Sequence, residues 1–193
     1  MANFEEAYRI TLGHEGGYAN DSYDAGGETY KGVARRYYPS WEGWAIIDAA
    51  KSNKHTFPGS LPNNHYLEEL IRKFYKANYW DKFWGDEIPN QIVANEMFDT
   101  GVNMGTRRAV KYLQMGLNLL NRNQKNYADI MEDGVFGNNT LNTLKMYLNI
   151  DNESYLVKIM NILQGMHYIE YMTKSPTQER FARGWLSRIN ISK

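Results

Sequence analysis

Apolar residues recur at helical spacing through most of the chain. Phe4, Ala7, Tyr8 and Leu12 repeat three to four positions apart, and Asn3 followed by Glu6 has the form of a capping box. A helix is therefore expected from there to Glu15, where the Gly16-Gly17 pair stops it. Ser40 is expected to cap a short helix running through Ala50. Beyond a loop with Pro58 and Pro62, a longer helix carries Leu67, Leu70, Ile71, Phe74 and Tyr75. Pro89 suits a helix start, with Ile92, Val93, Glu96, Met97 and Thr100 following. Gly105 precedes a pattern through Ala109, Tyr112, Leu113 and Leu117 that fades into the polar run Asn121 to Asn126. A turn at Asp133-Gly134 leads to a short helix near Thr140 to Leu148. The longest pattern follows, with Leu156, Ile159, Met160, Leu163, Met166 and Ile169, and a last helix after Pro176 carries Phe181, Trp185 and Ile189. No strand-like alternation competes, so the expected fold is mainly α. One stretch breaks the pattern: Gly16 to Gly32 is rich in Gly, Asp, Tyr and Asn with no apolar period, and reads as an ordered loop or short hairpin where chemistry would sit.

Composition narrows the classes. In 193 residues, 22 Lys+Arg balance 22 Asp+Glu, and no run of five like charges occurs, so the electrostatic footprint of a nucleic-acid binder is absent. No window of about 18 uninterrupted apolar residues suggests a membrane span. The start, Met-Ala-Asn-Phe-Glu-Glu, lacks a basic region followed by an apolar core, and the chain is expected to remain cytoplasmic as synthesised. The absence of cysteine removes disulfides, thiolate metal sites and Cys nucleophiles. Aromatic residues, 15 Tyr, 5 Trp and 7 Phe, are numerous enough to suit flat amphipathic ligands such as sugars, although they also serve as core material.

The strongest local signal is His14-Glu15-Gly16-Gly17-Tyr18, continuing through Asn20, Asp21, Asp24, Gly26-Gly27, Glu28, Thr29 and Gly32. A carboxylate at the end of a helix and followed by two glycines meets no bulky neighbour when it projects toward a ligand. The helix C-terminus disfavours its ionisation and nearby tyrosines exclude water, so both raise the pKa of Glu15 toward that of a proton donor. The plainer alternative is a surface glutamate before a glycine cap. No second histidine follows His14 at zinc-helix spacing, and neither a phosphate-binding loop nor a nucleophile elbow is present. No metal or cofactor is called for.

Glu15-Gly-Gly-Tyr18, Asp24, Gly26-Gly27, Thr29 and Gly32-Val33 resemble the signature of glycoside hydrolase family 108, N-acetylmuramidases with a lysozyme-like helical domain. Phe98 to Gly105, with Ala109 and Leu113-Gln114, is similar to the middle of those proteins. Asp133-Gly134-Val135-Phe136-Gly137 with Thr140, then Phe181, Gly184-Trp185 and Arg188, resemble the predicted peptidoglycan domain that accompanies it. The resemblance implies a lysozyme-like catalytic region over 1–104 and a helical peptidoglycan region over 105–193, packed as one compact unit. It also implies cleavage between N-acetylmuramic acid and N-acetylglucosamine, with Glu15 as catalytic acid.

The spacing of Glu15, Asp24 and Thr29 is similar to the Glu, Asp, Thr arrangement of phage lysozymes, one residue shorter between Asp and Thr. Asp24 is expected to activate water or stabilise positive charge, with Thr29 orienting the water; Asp21, Glu28 and Asp99 are weaker candidates. As an alternative, Asp24 is a turn residue bonding its own backbone. Tyr18, Tyr30 and Trp80, with Trp41, Trp44 and Trp84, are candidate platforms for pyranose rings or else packing residues. Asp99 and Asn103 share a helix face and are candidates for the opposite wall of the cleft. For the Asp133 to Thr140 turn, a self-bonded connection that caps the next helix through Asn139 or Thr140 is preferred over glycan contact. A monomer is expected, reaching the wall through a holin-like partner, another exporter or lysis, as in a prophage endolysin. The rival reading is a non-catalytic glycan-binding or secretion-accessory protein.

Overall fold

The computed structural model describes residues 1–13, 17–20 and 27–189. The protein is mainly helical with one small sheet, and divides into two compact units, Tyr8–Asn78 and Met1–Ala7 with Tyr79–Lys193. Helix α1 (Phe4–Leu12) begins in the second and ends in the first. Asn3 Oδ1 accepts the Glu6 amide at 3.2 Å, which satisfies one of the amide groups left unpaired at the helix start.

In the unit Tyr8–Asn78, strands β1 (Tyr18–Asn20), β2 (Glu28–Tyr30) and β3 (Val33–Ala34) form an antiparallel sheet in sequence order. Tyr18 pairs with Tyr30, Ala19 with Thr29 and Asn20 with Glu28, so Thr29 lies on the face opposite Glu28 and Tyr30. Gly32 makes the tight turn into β3 with φ +80°, and a Cβ there would strike the Tyr75 hydroxyl. That hydroxyl donates to the Lys31 carbonyl at 2.8 Å, tying the turn to α3 (His65–Tyr75). Helix α3 starts at Asn64, whose Oδ1 accepts the Leu67 amide at 3.0 Å, and buries Leu67, Leu70, Ile71, Phe74 and Tyr75 as the periodicity predicts. Helix α2 (Gly43–Ala50) begins later than Ser40: Glu42 precedes it without a side-chain cap, and the Trp41 indole fills the space that a Cβ on Gly43 would need.

In the other unit, Trp80 forms the centre of an aromatic cluster. Its ring meets those of Phe4, Phe83 and Phe98 edge-on at 5.7, 5.6 and 6.0 Å. Helix α4 (Gln91–Met104) is capped by Asn90, whose Oδ1 accepts the Val93 amide at 3.0 Å; Pro89 lies one residue further out. It packs against α5 (Thr106–Leu120) and α7 (Glu153–Lys174), with α6 (Asn138–Leu148) on α5 and α8 (Ala182–Leu186) on α7. Helix α7 departs from its apolar pattern. It buries Leu156, Met160, Asn161, Gln164 and Tyr168, while Met166 and Ile169 are 61% and 57% exposed. The reason lies on α4: Asn161 Nδ2 donates to Glu96 Oε2 at 2.7 Å and Gln164 Nε2 to Asp99 Oδ2 at 3.3 Å, so two amides face inward to satisfy carboxylates.

Candidate functional site

Glu15 and Asp24, together with His14 and Asp21, lie outside the described residues. Helix α1 ends at Leu12, earlier than expected, and Gly13 closes a turn with its amide on the Arg9 carbonyl at 3.0 Å. The chain at Gly17 is held by the Lys31 amide, which donates to the Gly17 carbonyl at 3.2 Å, and the segment containing Asp24 joins β1 to β2. The sheet therefore holds Gly17 and pairs the two strands that flank residues 21–26 in sequence.

One face of that sheet carries a charged network. Glu28 Oε1 lies 2.6 Å from Lys51 Nζ and accepts the Tyr18 hydroxyl at 3.1 Å, and Glu28 Oε2 accepts Arg35 Nη1 at 2.9 Å. Arg35 also forks onto Asp48, with Nη1–Oδ1 at 2.8 Å and Nη2–Oδ2 at 2.6 Å. Burial pushes the Glu28 pKa up, but hydrogen bonds from Lys51, Arg35 and Tyr18 outweigh it and hold the carboxyl below its usual range. The Arg35 and Lys51 hydrogen bonds likewise depress Asp48. Tyr18 is raised by burial and by its bond to the anionic Glu28. Its ring meets Phe57 edge-on at 4.7 Å. Both Glu28 oxygens are occupied, so this carboxylate braces the sheet and is not open to a reacting sugar. The sequence singled out Glu28 only weakly and missed Arg35 and Lys51, although Asp48 and Lys51 are at i,i+3 spacing within and just after α2.

Thr29 is partly exposed, and its hydroxyl donates to the Gly27 carbonyl at 3.3 Å. Ala19 and Ala34 flank it across the sheet, so no bulky cross-strand neighbour covers it. Two expected sugar platforms are corrected by burial. Tyr30 is 0% exposed, with its hydroxyl donating to Glu68 Oε1 at 3.1 Å; Trp80 is 0% exposed, with Nε1 donating to Asp86 Oδ1 at 2.8 Å. Neither presents a ring face to a ligand. Trp44 is buried as well, whereas Trp84 is 39% exposed and edges a pocket with Asp81, Asp86 and Glu87.

Asp99 and Asn103 share one side of α4, as their spacing predicts. Asp99 Oδ1 accepts Arg188 Nη1 at 2.7 Å and its main-chain carbonyl accepts Asn103 Nδ2 at 2.8 Å. With Gln164 on Oδ2, Asp99 is fully engaged within its own unit. Glu96, one turn earlier, is the group that sequence reasoning passed over as part of an apolar pattern. Burial pushes its pKa up to about 7; the Asn161 and Thr100 hydrogen bonds pull it down and the neighbouring Asp99 charge pushes it up. Among the described residues no three His, Asp or Glu side chains converge as metal ligands would, and no helix is long and apolar enough to cross a membrane.

The sequence model of glycosyl hydrolase 108 matches residues 8–105, which include the α1 end, the sheet and α4. The chain belongs to the glycosyl hydrolase 108 family. A second model, described as a predicted peptidoglycan domain, matches residues 108–190 of this family 108 protein. The chain is similar to the solved structure of Brucella abortus SagA, with 23% identity, a TM-score of 0.63, and coverage of 96% of this chain and 88% of the other; that likeness concerns the fold. No curated protein sequence matches. As a family 108 member with a peptidoglycan domain, the protein is a glycoside hydrolase of peptidoglycan.

Within the peptidoglycan domain, the Asp133–Gly137 turn is held by Gln114 on α5. Gln114 Nε2 donates to Asp133 Oδ1, the Val135 carbonyl and Thr140 Oγ1 at 3.0, 3.1 and 3.2 Å, and its Oε1 accepts the Gly134 amide at 2.8 Å. Asp133 Oδ1 also accepts the Val135 amide at 2.8 Å. The turn is self-bonded as expected, but α6 begins at Asn138 behind Gly137 with no side-chain cap, so neither Asn139 nor Thr140 caps it. Thr140 is instead buried against Gln114.

Proposed function

We propose that the protein is an N-acetylmuramidase, cleaving the bond from N-acetylmuramic acid to N-acetylglucosamine with Glu15 as general acid. The observation that carries this reading is the saturation of Glu28. Glu28, the acidic residue described between α1 and β3, has its oxygens taken up by Tyr18, Arg35 and Lys51; the other acidic residues of that stretch of sequence are Glu15, Asp21 and Asp24, to which we assign the chemistry. Glycoside hydrolysis needs a carboxylic acid to protonate the leaving oxygen and, in most families, a second carboxylate to attack or to activate water as positive charge develops on the sugar. Glu15 follows the end of α1 and precedes the two glycines, and Asp24 supplies the second group, with the partly exposed Thr29 hydroxyl orienting water.

Product analysis tests the assignment. Digested peptidoglycan reduced with borohydride should yield muramitol at its new ends in mass spectra. Glucosaminitol ends would make the enzyme a glucosaminidase, and anhydromuramic ends a lytic transglycosylase.

A further inference from the structure

The geometry points to a second ligand site, formed by the peptidoglycan domain together with Asn103 of α4, one that captures a carboxylate of the stem peptide. It rests on peptidoglycan as the substrate. A pocket of about 330 Å³ is lined by Asn103, Arg180, Phe181, Gly184, Trp185 and Arg188. Its walls are fixed from the core outward. Gln164, fully buried, donates through Nε2 both to the Tyr168 hydroxyl at 3.3 Å and to Asp99, and Asp99 in turn positions Arg188. Tyr168 stacks beneath the Trp185 indole with centroids 5.2 Å apart and planes 11° from parallel, and Phe181 and Tyr171 flank that indole at 5.7 and 5.8 Å. Arg180 sits over the Phe181 ring at 4.6 Å, and among the described residues no carboxylate pairs with it. At Gly184 a Cβ would meet nothing within 4 Å, so the backbone there opens onto the pocket.

Among the described residues no carboxylate lines this pocket and two guanidinium groups do, that of Arg188 paired with Asp99 behind it and that of Arg180 over Phe181. Another hollow of this unit, about 520 Å³ beside Trp84, carries Asp81, Asp86 and Glu87 and repels an anion. Peptidoglycan sugars are N-acetylated and their lactyl carboxyls are amide-linked, so the negative charge of the polymer resides on its peptide arms. The Arg180 guanidinium next to aromatic faces fits such a carboxylate with its flanking apolar carbons, beside an Arg188 already held by Asp99.

The test uses the full chain and two soluble probes: the disaccharide tetrapeptide, and the same compound with its peptide carboxyls amidated. The Trp185 indole N–H resonance, identified by its loss in Trp185→Phe, reads this pocket alone. The carboxylated probe should shift it with a dissociation constant at least about tenfold lower than the amidated one, as a charge-assisted bond implies. Arg180→Gln, an exposed position, should abolish that difference, and Gly184→Leu should weaken both probes. Equal affinities for the two probes in the parent protein, or an unchanged difference in Arg180→Gln, would overturn the proposal. Release of reducing ends is measured separately on the same preparation. Hydrolysis without this binding refutes the site alone, and binding without hydrolysis refutes the muramidase reading alone.

Discussion

Glu28 accepts a hydrogen bond from Arg35 at 2.9 Å, and through it β2 is fixed to α2, since the same guanidinium grips Asp48 with two bonds. Glu28 opens β2, the strand that follows the Asp24 segment in sequence. Its role is to hold the strand ends rather than to react.

Loss of that brace should cost stability and not merely charge. Glu28→Gln leaves Arg35 and Lys51 facing a neutral amide, and thermal melting at pH 7 should report a loss of about 1–2 kcal/mol. The Glu28 pKa is depressed in the folded state, so its contribution is present above the ordinary glutamate range and disappears as pH falls through the folded value. The parent protein should lose stability on acidification below about pH 4.5, and the variant should lose less.

Glu96 has the opposite sign. Its folded pKa of about 7 exceeds the ordinary value, so the native state binds the extra proton: stability is full at about pH 4 and falls as pH rises toward and through 7. Glu96→Gln keeps an acceptor for Asn161 and removes the charge beside Asp99. Urea unfolding should show the variant more stable than the parent at pH 8, by on the order of 1–3 kcal/mol, and nearly equal at pH 5. A parallel pH dependence in the two proteins would show that another group is responsible.

Gln114 joins the Asp133–Gly137 turn to α5. Gln114→Ala leaves the Gly134 amide and Thr140 hydroxyl without this partner and should destabilise by about 2–4 kcal/mol in urea unfolding. Gly134 has φ +70°, and a Cβ there would lie 2.5 Å from the Arg107 carbonyl oxygen, so Gly134→Ala should be at least as damaging. Faster hydrogen exchange at Gly134 and Val135 should accompany both changes.

Much of this architecture was readable from local pattern. Asn3 with Glu6 marked the start of α1, and the apolar stripe of α3 is the stripe that is buried. Local pattern failed where partners come from far away in sequence. Periodicity on α7 pointed to Met166 and Ile169, yet Asn161 and Gln164 face inward because Glu96 and Asp99, 65 residues earlier, need donors. Aromatic identity did not separate the buried Trp80 from the exposed Trp84; Asp86, which receives the Trp80 indole N–H, is what makes its burial tolerable. The Gly-rich segment was legible through its residue types, whereas the network of Tyr18, Glu28, Arg35, Asp48 and Lys51 exists only once β2 and α2 are brought together.

The proton at Glu15 is the centre of the account. Reducing-end release from purified peptidoglycan by Glu15→Gln should fall by about 10²–10⁴-fold while the melting temperature stays unchanged. Hydrolysis by that variant at the parental rate, with the fold intact, would contradict it.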